Sequence, residues 1–433
     1  MSTSAAQVVE TQESPPLSVI VVGAGLVGLA AAIALRRQGH HVDIYDASSF
    51  KVELGAGLAI PPNTVRCLLD LGCNISNLNP VENLCFTSMA YDGSTGMKSD
   101  DTDYQARYGM PWFMAHRVDL HNELRRLALE NEGDGQPARL HLNCRVISCD
   151  LEACSITLDT GAVRAADLII GADGIRSTIR SYVLGETIAI PPSHTAGFRW
   201  VTDAAALEPY PELDWIVKTV PMGARLISAP VLPKQPGAVD HRTIIIYACR
   251  GGTIVNVLAV HEDIRDQDSV AWNVSVTQKD LLDFFSDYHP KFKSLLQLAD
   301  NIHIWQMRIV PPLKTWVNKH VCLMGDAAHA SLPTLGQGFG MGLEDAVALG
   351  VLLPKMTPAS KIPSRLLAYE RLRKPRAEFI AAESFEQQHI PAKRGLYLRS
   401  IEMRDQVMGY NVRQDAERVL GELLKGEWVS STT

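Results

Sequence analysis

Three glycines near the amino terminus are the first residues whose spacing suggests chemistry. Gly23-Ala24-Gly25-Leu26-Val27-Gly28 follows the pattern G-x-G-x-x-G. Between a strand and a helix, Gly23 permits the tight turn, Gly25 admits a pyrophosphate to the backbone, and Gly28 lets helix and strand pack closely. The helix amino terminus then offers free N–H groups and roughly half a positive charge to the phosphates. Asp46 follows Gly23 by 23 residues. A carboxylate there accepts hydrogen bonds from both ribose hydroxyls and repels a 2′-phosphate. This pattern points to an ADP-containing dinucleotide without separating NAD from FAD.

The elements that must hold this loop are legible around it. Ser18-Val19-Ile20-Val21-Val22 is short and β-branched, as a buried parallel strand requires. Residues 26–38 predict an Ala- and Leu-rich helix that stops at Gly39, and 42–45 predict a second strand. The stretch 17–35 holds no charge over 19 residues, enough to cross a bilayer. A membrane helix leaves its three glycines unexplained, whereas a strand, turn and helix use all of them, so no span is expected. Further along, 64–71 and 119–129 predict helices, the latter with Leu120, Leu124 and Leu127 on one face. Antiparallel strands are expected in 84–98, and strands near 140–142, 146–149, 155–158 and 168–170. The texture changes over 191–310, where 243–247 and 254–258 are apolar runs flanking Gly251-Gly252, the pattern of an antiparallel sheet. Residues 231–242, rich in Pro and charge, predict an exposed loop. A buried strand returns at 321–324. From Pro363 the chain reads as helical, with a break near Pro391.

Composition narrows the function class. Hydrophobic residues make up 46% of 433, enough for a large core, which excludes a mainly disordered chain. A net charge of −7 argues against a broad nucleic-acid footprint. No two of the eight cysteines stand at the two-residue gap of a zinc ribbon or redox dithiol, so free thiols and no metal are expected. Residues 1–18 are polar and acidic and do not read as a secretory signal. The expected location is cytoplasmic.

Two later motifs choose between the dinucleotides. One is Asp167-Leu168-Ile169-Ile170-Gly171-Ala172-Asp173-Gly174-Ile175-Arg176-Ser177-Thr178-Ile179-Arg180. The other runs from Gly325-Asp326-Ala327-Ala328-His329 through Pro333 and Gly336-Gln337-Gly338 to Glu344-Asp345. With the glycine loop, they closely resemble the three signatures of the single-component FAD-dependent monooxygenases, the p-hydroxybenzoate or salicylate hydroxylase-like family in its fungal form. The resemblance runs from about Ser18 to Arg376. On physical grounds, Asp326 at a strand end suits a ribityl hydroxyl. Gly336, Gly338, Gly340 and Gly342 would let backbone approach a flat ring. A helix starting near Gly338 would turn its positive end toward the pyrimidine of the flavin. His329 reads as structural. The family often has Ala or Asn where this chain has Phe339 and Gly340.

The resemblance implies the remaining assignments. Gly57, within Gly55-Ala56-Gly57-Leu58-Ala59-Ile60-Pro61-Pro62-Asn63, resembles the loop beside the isoalloxazine ring. Arg117, within His116-Arg117-Val118-Asp119-Leu120, resembles the arginine at the pyrophosphate and ribityl region. Gly23, Gly25, Gly28, Asp46, Gly57, Arg117, Asp173, Asp326, Gly338 and Phe339 are thereby the expected FAD-binding residues. Asp173-Gly174 is tied in the family to NAD(P)H as well. Arg176 and Arg180 are open to two readings, nicotinamide-cofactor phosphates or surface ion pairs. The implied fold is α/β, a Rossmann-like FAD-binding domain interleaved with an antiparallel-sheet substrate domain, then carboxy-terminal helices. The expected division is a disordered tail 1–16, an FAD-binding domain from 17–83, 111–190 and 306–362, a substrate domain from 84–110 and 191–305, and a helical segment 363–433. Arg199, after Phe198, resembles an arginine that lies over the flavin against the substrate, and a guanidinium there holds a phenolate or carboxylate. Tyr247 begins Tyr247-Ala248-Cys249-Arg250-Gly251-Gly252, similar to a family strand and turn, with Ala248 in place of proline. Arg199 and Tyr247 are the expected catalytic pair. The implied activity consumes NADH or NADPH and O2 to hydroxylate, or epoxidise, an electron-rich aromatic small molecule through a flavin C(4a)-hydroperoxide. The alternatives are a reductase or oxidase of similar fold that inserts no oxygen, and a non-catalytic nucleotide-binding protein.

Overall fold

A computed structural model describes residues 14–49, 56–98, 103–131, 133–217, 223–229, 242–263, 265 and 271–426. Nearly all of the expected tail 1–16, most of the expected loop 231–242, and Gly55 lie outside the described residues.

The chain opens with β1 (Ser18–Val22), α1 (Leu26–Arg36) and β2 (His41–Tyr45). β1 is buried along almost its whole length, which only an unbroken apolar run tolerates. Next come β3 (Gly57–Ile60), α2 (Pro62–Asp70), β4 (Cys85–Ala90), β5 (Phe113–His116) and α3 (Arg117–Leu129). β6 (Leu168–Gly171) and α4 (Thr178–Leu184) precede the long β7 (Pro192–Asp203). β8 (Gly223–Ser228), β9 (Thr243–Cys249), β10 (Ile254–Glu262) and β11 (His303–Arg308) follow. β12 (Val321–Leu323) leads back to α5 (Gly338–Leu352) and the long α6 (Ile362–His389), and α7 (Ile401–Met408) and α8 (Val412–Lys425) finish.

These strands build two principal sheets. The first has six strands in the order Val317–Asn318, β12, β6, β1, β2, Arg139–His141. All its pairs are parallel except the first. Such an order gathers the carboxyl ends of β1, β6 and β12 at one edge, where α/β folds bind ligands. The second has eight strands in the order Asn273–Ser275, β11, β7, β10, β9, β8, β4, Thr95–Lys98. It is antiparallel except where β4 joins β8 in parallel. The sequence shows no sign of that pairing, because β4 arrives from far upstream rather than through a hairpin. The fold is thus α/β, a Rossmann-like sheet interleaved with a mainly antiparallel one and closed by carboxy-terminal helices.

Side-chain alternation gives the second sheet two different faces. Phe198, Trp200, Ile244, Ile246, Val255 and Val257 pack with Phe285 and Phe292 into a core of their own. Residues between them face the other way. Arg199 pairs across the ladder with Leu258, Leu258 with Ile245, and Tyr247 with Asn256. That second face meets β3, the edge strand of a small sheet ordered β3, β5, Val81–Glu82.

Candidate active site

The glycine loop is shaped partly by the chain and partly for something outside it. Gly23 has φ +101°, and a Cβ there would collide with the Ala172 carbonyl oxygen. A Cβ on Gly28 would collide with the Gly23 carbonyl oxygen. The fold itself therefore demands both. Gly25 differs, since a Cβ there would meet nothing within 4 Å. Gly25 also caps α1 without a side-chain hydrogen bond, and the first turn holds no acidic residue. The leading N–H groups of α1 thus face an open, uncompensated position suited to an anion. Asp46 accepts from the Ala24 N–H at 2.7 Å and the Ser48 N–H at 2.7 Å, one on each carboxylate oxygen. The Ser48 hydroxyl also donates to the oxygen that takes the Ser48 N–H, so the oxygen facing Ala24 is the one that keeps a lone pair for a hydroxyl.

A second group stands at the end of β12. Gly325, at φ +61°, turns the chain, and Asp326 opens the one-turn helix Asp326–His329. The Asp326 carboxylate makes no hydrogen bond to protein among the described residues and is open to solvent, although much of the protein surrounds it. Burial pushes its pKa up, although His329, Arg117 and Arg180 pull it down. Arg117 opens α3, its N–H bound to the Ala56 carbonyl at 2.8 Å, and its charge reaches both Asp326 and Arg199. At the amino terminus of α5, Gln337 makes no side-chain cap, and a Cβ on Gly338 would meet nothing within 4 Å. Phe339 beside it is half-buried against the main core.

Three expectations need correction. Gly340 and Gly342 do not approach a ring, because Cβ atoms there would collide with Thr64 and Val27, so these glycines let α5 pack against α2 and α1. Arg180 is neither a surface residue nor a phosphate ligand. It is buried, donating to the carbonyls of Ala327 (3.0 Å) and Ile175. Asp173 uses its carboxylate on the first turn of α4, accepting from Ser177 Oγ, the Thr178 N–H (2.7 Å) and the Ile179 N–H (3.2 Å). What it offers the glycine loop is backbone, packed behind Gly23. Arg176 instead lies over Trp272 at 4.2 Å, with Arg308 4.7 Å from the same ring.

The expected catalytic pair meets β3 on the cleft face of the large sheet. Arg199 donates Nη2 to the Gly57 carbonyl at 2.6 Å, and its Nε is buried without a partner. Burial lowers its pKa, with Tyr247 acting in the opposite sense. A guanidinium starts high enough to keep its charge. Burial pushes the Tyr247 hydroxyl to about 12 against the pull of Arg199, so it stays protonated at neutral pH. Half-buried Ile245 and Leu258 supply apolar surface beside the cation. A groove of ≈ 680 Å³ bordered by Val65, Leu69, Ile75, Met110 and Phe113 contains none of these side chains.

Sequence reasoning missed the ion network behind the site. Arg373, fully buried, donates to Asp345 (2.9 Å) and Glu344 (2.7 Å). Asp345 also takes the Gly325 N–H (3.0 Å) and lies 2.6 Å from His329 Nε2, which places His329 in a structural role. Glu344 takes the Asn63 amide at 2.9 Å. Burial pushes Asp345 up, but His329 and Arg373 outweigh it and hold the carboxyl below its ordinary range. The network locks α5, α6 and the Gly325 turn together. Glu344-Asp345 carried a signal, whereas nothing singled out Arg373 within a charged helix. Arg250 is a second such tie, bidentate to Asp119 at 2.7 Å, which pins the β9–β10 turn to α3.

The donor set fits FAD. Two uncapped helix amino termini face open positions at Gly25 and Gly338, and Asp326 is an acceptor with no protein partner. Among the described residues no cluster could hold a metal, and no helix is long and apolar enough to cross a membrane. None of the eight cysteines forms a disulfide.

Comparison with known proteins agrees. A family model described as an FAD binding domain matches residues 272–384, and one described as an NAD(P)-binding Rossmann-like domain matches 21–50. Hispidin-3-hydroxylase of Neonothopanus nambi is 65% identical over 410 residues, covering 94% of this chain and 97% of the relative. The FAD-dependent monooxygenase cfoG of Aspergillus candidus is 35% identical over 375 residues, 85% of each chain. A salicylate hydroxylase substrate complex shares the fold with a TM-score of 0.74 at 23% identity, over 94% of this chain and 98% of that one.

Proposed function

The chain belongs to the FAD-dependent monooxygenases, and from that premise we propose that it hydroxylates hispidin at position 3, with O2 as the oxygen source. It is an enzyme that uses FAD, with NADH or NADPH as co-substrate, on an aromatic substrate. The observation carrying the substrate is the 65% identity to a hispidin-3-hydroxylase across almost the whole of both chains. The site is compatible with it, since a buried cation and a neutral tyrosine stand on an apolar sheet face. A cytoplasmic setting suits eight cysteines that form no disulfide.

When bound, FAD supplies electron transfer from NAD(P)H and the activation of O2, which no side chain here performs. The residues do the rest. Gly25 and the start of α1 seat the pyrophosphate, Asp46 takes the ribose, and Asp326 and Arg117 hold the ribityl region. Gly57, Gly338 and Phe339 border the ring, and the Asp173 turn backs the glycine loop. Arg199 binds the acidic oxygen of the substrate and orients the ring that receives oxygen. Tyr247 keeps Arg199 in place with a hydroxyl that does not ionise at neutral pH. Ile245 and Leu258 exclude water around that contact.

The test is NAD(P)H consumption by the purified flavoprotein with hispidin, and with salicylate as a comparison. Hispidin should accelerate it most and yield a product one oxygen atom heavier. Acceleration by salicylate but not hispidin would show the substrate to be wrong. Consumption without an oxygenated product would point instead to a reductase or oxidase.

A further inference from the structure

β3 is an edge strand, and edge strands present N–H and C=O groups that no neighbouring strand satisfies. Buried groups of this kind need partners. Gly57 turns both of its backbone groups toward the large sheet, and each is met by a side chain. The Asn256 Oδ1 accepts the Gly57 N–H at 2.7 Å, and the Gly57 carbonyl accepts from Arg199 Nη2 at 2.6 Å. The approach is close enough to require glycine, since a Cβ at 57 would collide with the Tyr247 ring and lie 2.8 Å from Asn256 Cβ.

Asn256 itself is a polar residue at a packing position. It is fully buried in the middle of the apolar run Ile254-Val255-Asn256-Val257-Leu258. Its orientation is set by its partner, because only the oxygen of the amide can accept from Gly57. The Nδ2 is then left buried without an acceptor. Leucine would avoid that cost, so the amide is best explained by the bond to Gly57.

Resting on the assignment of Arg199 above, we infer that Asn256 is a positioning residue for the hydroxylation. It fixes the Gly57 peptide, and the fixed Gly57 carbonyl sets where the Arg199 guanidinium stands. One peptide thereby links the strand beside the cofactor to the sheet beneath the substrate, with Asn256 on one side and Arg199 on the other.

The test compares the holoenzyme variants Asn256→Leu, Asn256→Asp and Arg199→Ala with the double variant Asn256→Leu/Arg199→Ala. Asn256→Asp keeps the acceptor, while Asn256→Leu deletes it at similar volume. Asn256→Leu should retain FAD, expose the Gly57 amide to hydrogen exchange, and lose about 10-fold or more in product formed per NAD(P)H consumed. Asn256→Asp should restore both exchange protection and most of the coupling. Because Asn256 acts through Arg199, the double variant should be no worse than Arg199→Ala alone. Should Asn256→Leu not fold, Asn256→Ala is read in its place. Wild-type coupling in Asn256→Leu, no recovery in Asn256→Asp, or additive losses in the double variant would each overturn the inference. If Arg199→Ala is itself fully coupled, the fault lies in the assignment of Arg199, and the exchange result then reports on the Asn256–Gly57 bond alone.

Discussion

Replacing Arg199 with alanine should separate substrate chemistry from cofactor binding. The guanidinium stands on the cleft face, tied to Gly57 at 2.6 Å with Nε unpartnered. A cation and a substrate anion ~4 Å apart attract by about 4 kcal/mol at an effective dielectric near 20. Desolvating the anion consumes part of that attraction. A remainder of ~3 kcal/mol corresponds to on the order of 100-fold in turnover. Cofactor retention should not follow, because the proposed pyrophosphate seat lies at the start of α1, beside the other sheet. The assay is flavin content per chain, product per NAD(P)H, and hydrogen peroxide. Arg199→Ala should bind FAD fully, form product on the order of 100-fold more slowly, and divert the remaining NAD(P)H oxidation to peroxide. Arg199→Lys should recover only part, since a point charge does not reproduce a planar fork. Wild-type turnover and coupling in Arg199→Ala would refute the reasoning and leave Arg199 as a structural tie to β3.

Gly25→Val should fold normally, because space over Gly25 is open, yet purify colourless; a fully yellow protein with wild-type FAD affinity would contradict the pyrophosphate seat. Asp326→Ala should weaken FAD binding by about 10-fold or more without lowering the melting temperature of the cofactor-free protein, since it removes a carboxylate whose pKa burial raises. Early melting with normal FAD affinity would make Asp326 a turn residue instead. His261 packs between Phe198 (4.9 Å) and Phe284 (4.2 Å), and burial lowers its pKa to about 4. The unfolded chain therefore binds the proton first, and stability present above about pH 6.5 is lost as pH falls toward 4, by ~3 kcal/mol at most. Urea unfolding at pH 7 and at about 4.5 should show that loss in wild type and a smaller one in His261→Leu; equal losses would place the acid sensitivity elsewhere.

The β-α-β unit was legible because each glycine answers a local demand of the backbone, and strand, turn and helix lie within one short segment. Arg199 and Tyr247 could be suspected singly, but their proximity depends on the register of β7, β10 and β9, which no local pattern states. Gly340 and Gly342 show a real ambiguity. Close packing of two helices and close approach to a ring both require a missing Cβ, so the sequence looks the same for either. Arg180 misled because a charge after a glycine turn resembles a surface group, and only tertiary packing buries it. Asn256 did carry a signal, an amide at the centre of an apolar run, but its partner lies 199 residues away and is a backbone group. Arg373 was hidden for a related reason, since its carboxylates lie 28 and 29 residues away on another helix.

As proposed, this chain places oxygen from O2 into an aromatic substrate held at Arg199. The most direct measurement is a single incubation with hispidin, NAD(P)H and isotopically heavy dioxygen, followed by mass analysis of the product. One heavy oxygen atom per product molecule, in an amount matching the NAD(P)H consumed, is the predicted result. A product carrying only light oxygen from water, or complete conversion of the heavy dioxygen to peroxide with hispidin unchanged, would contradict it.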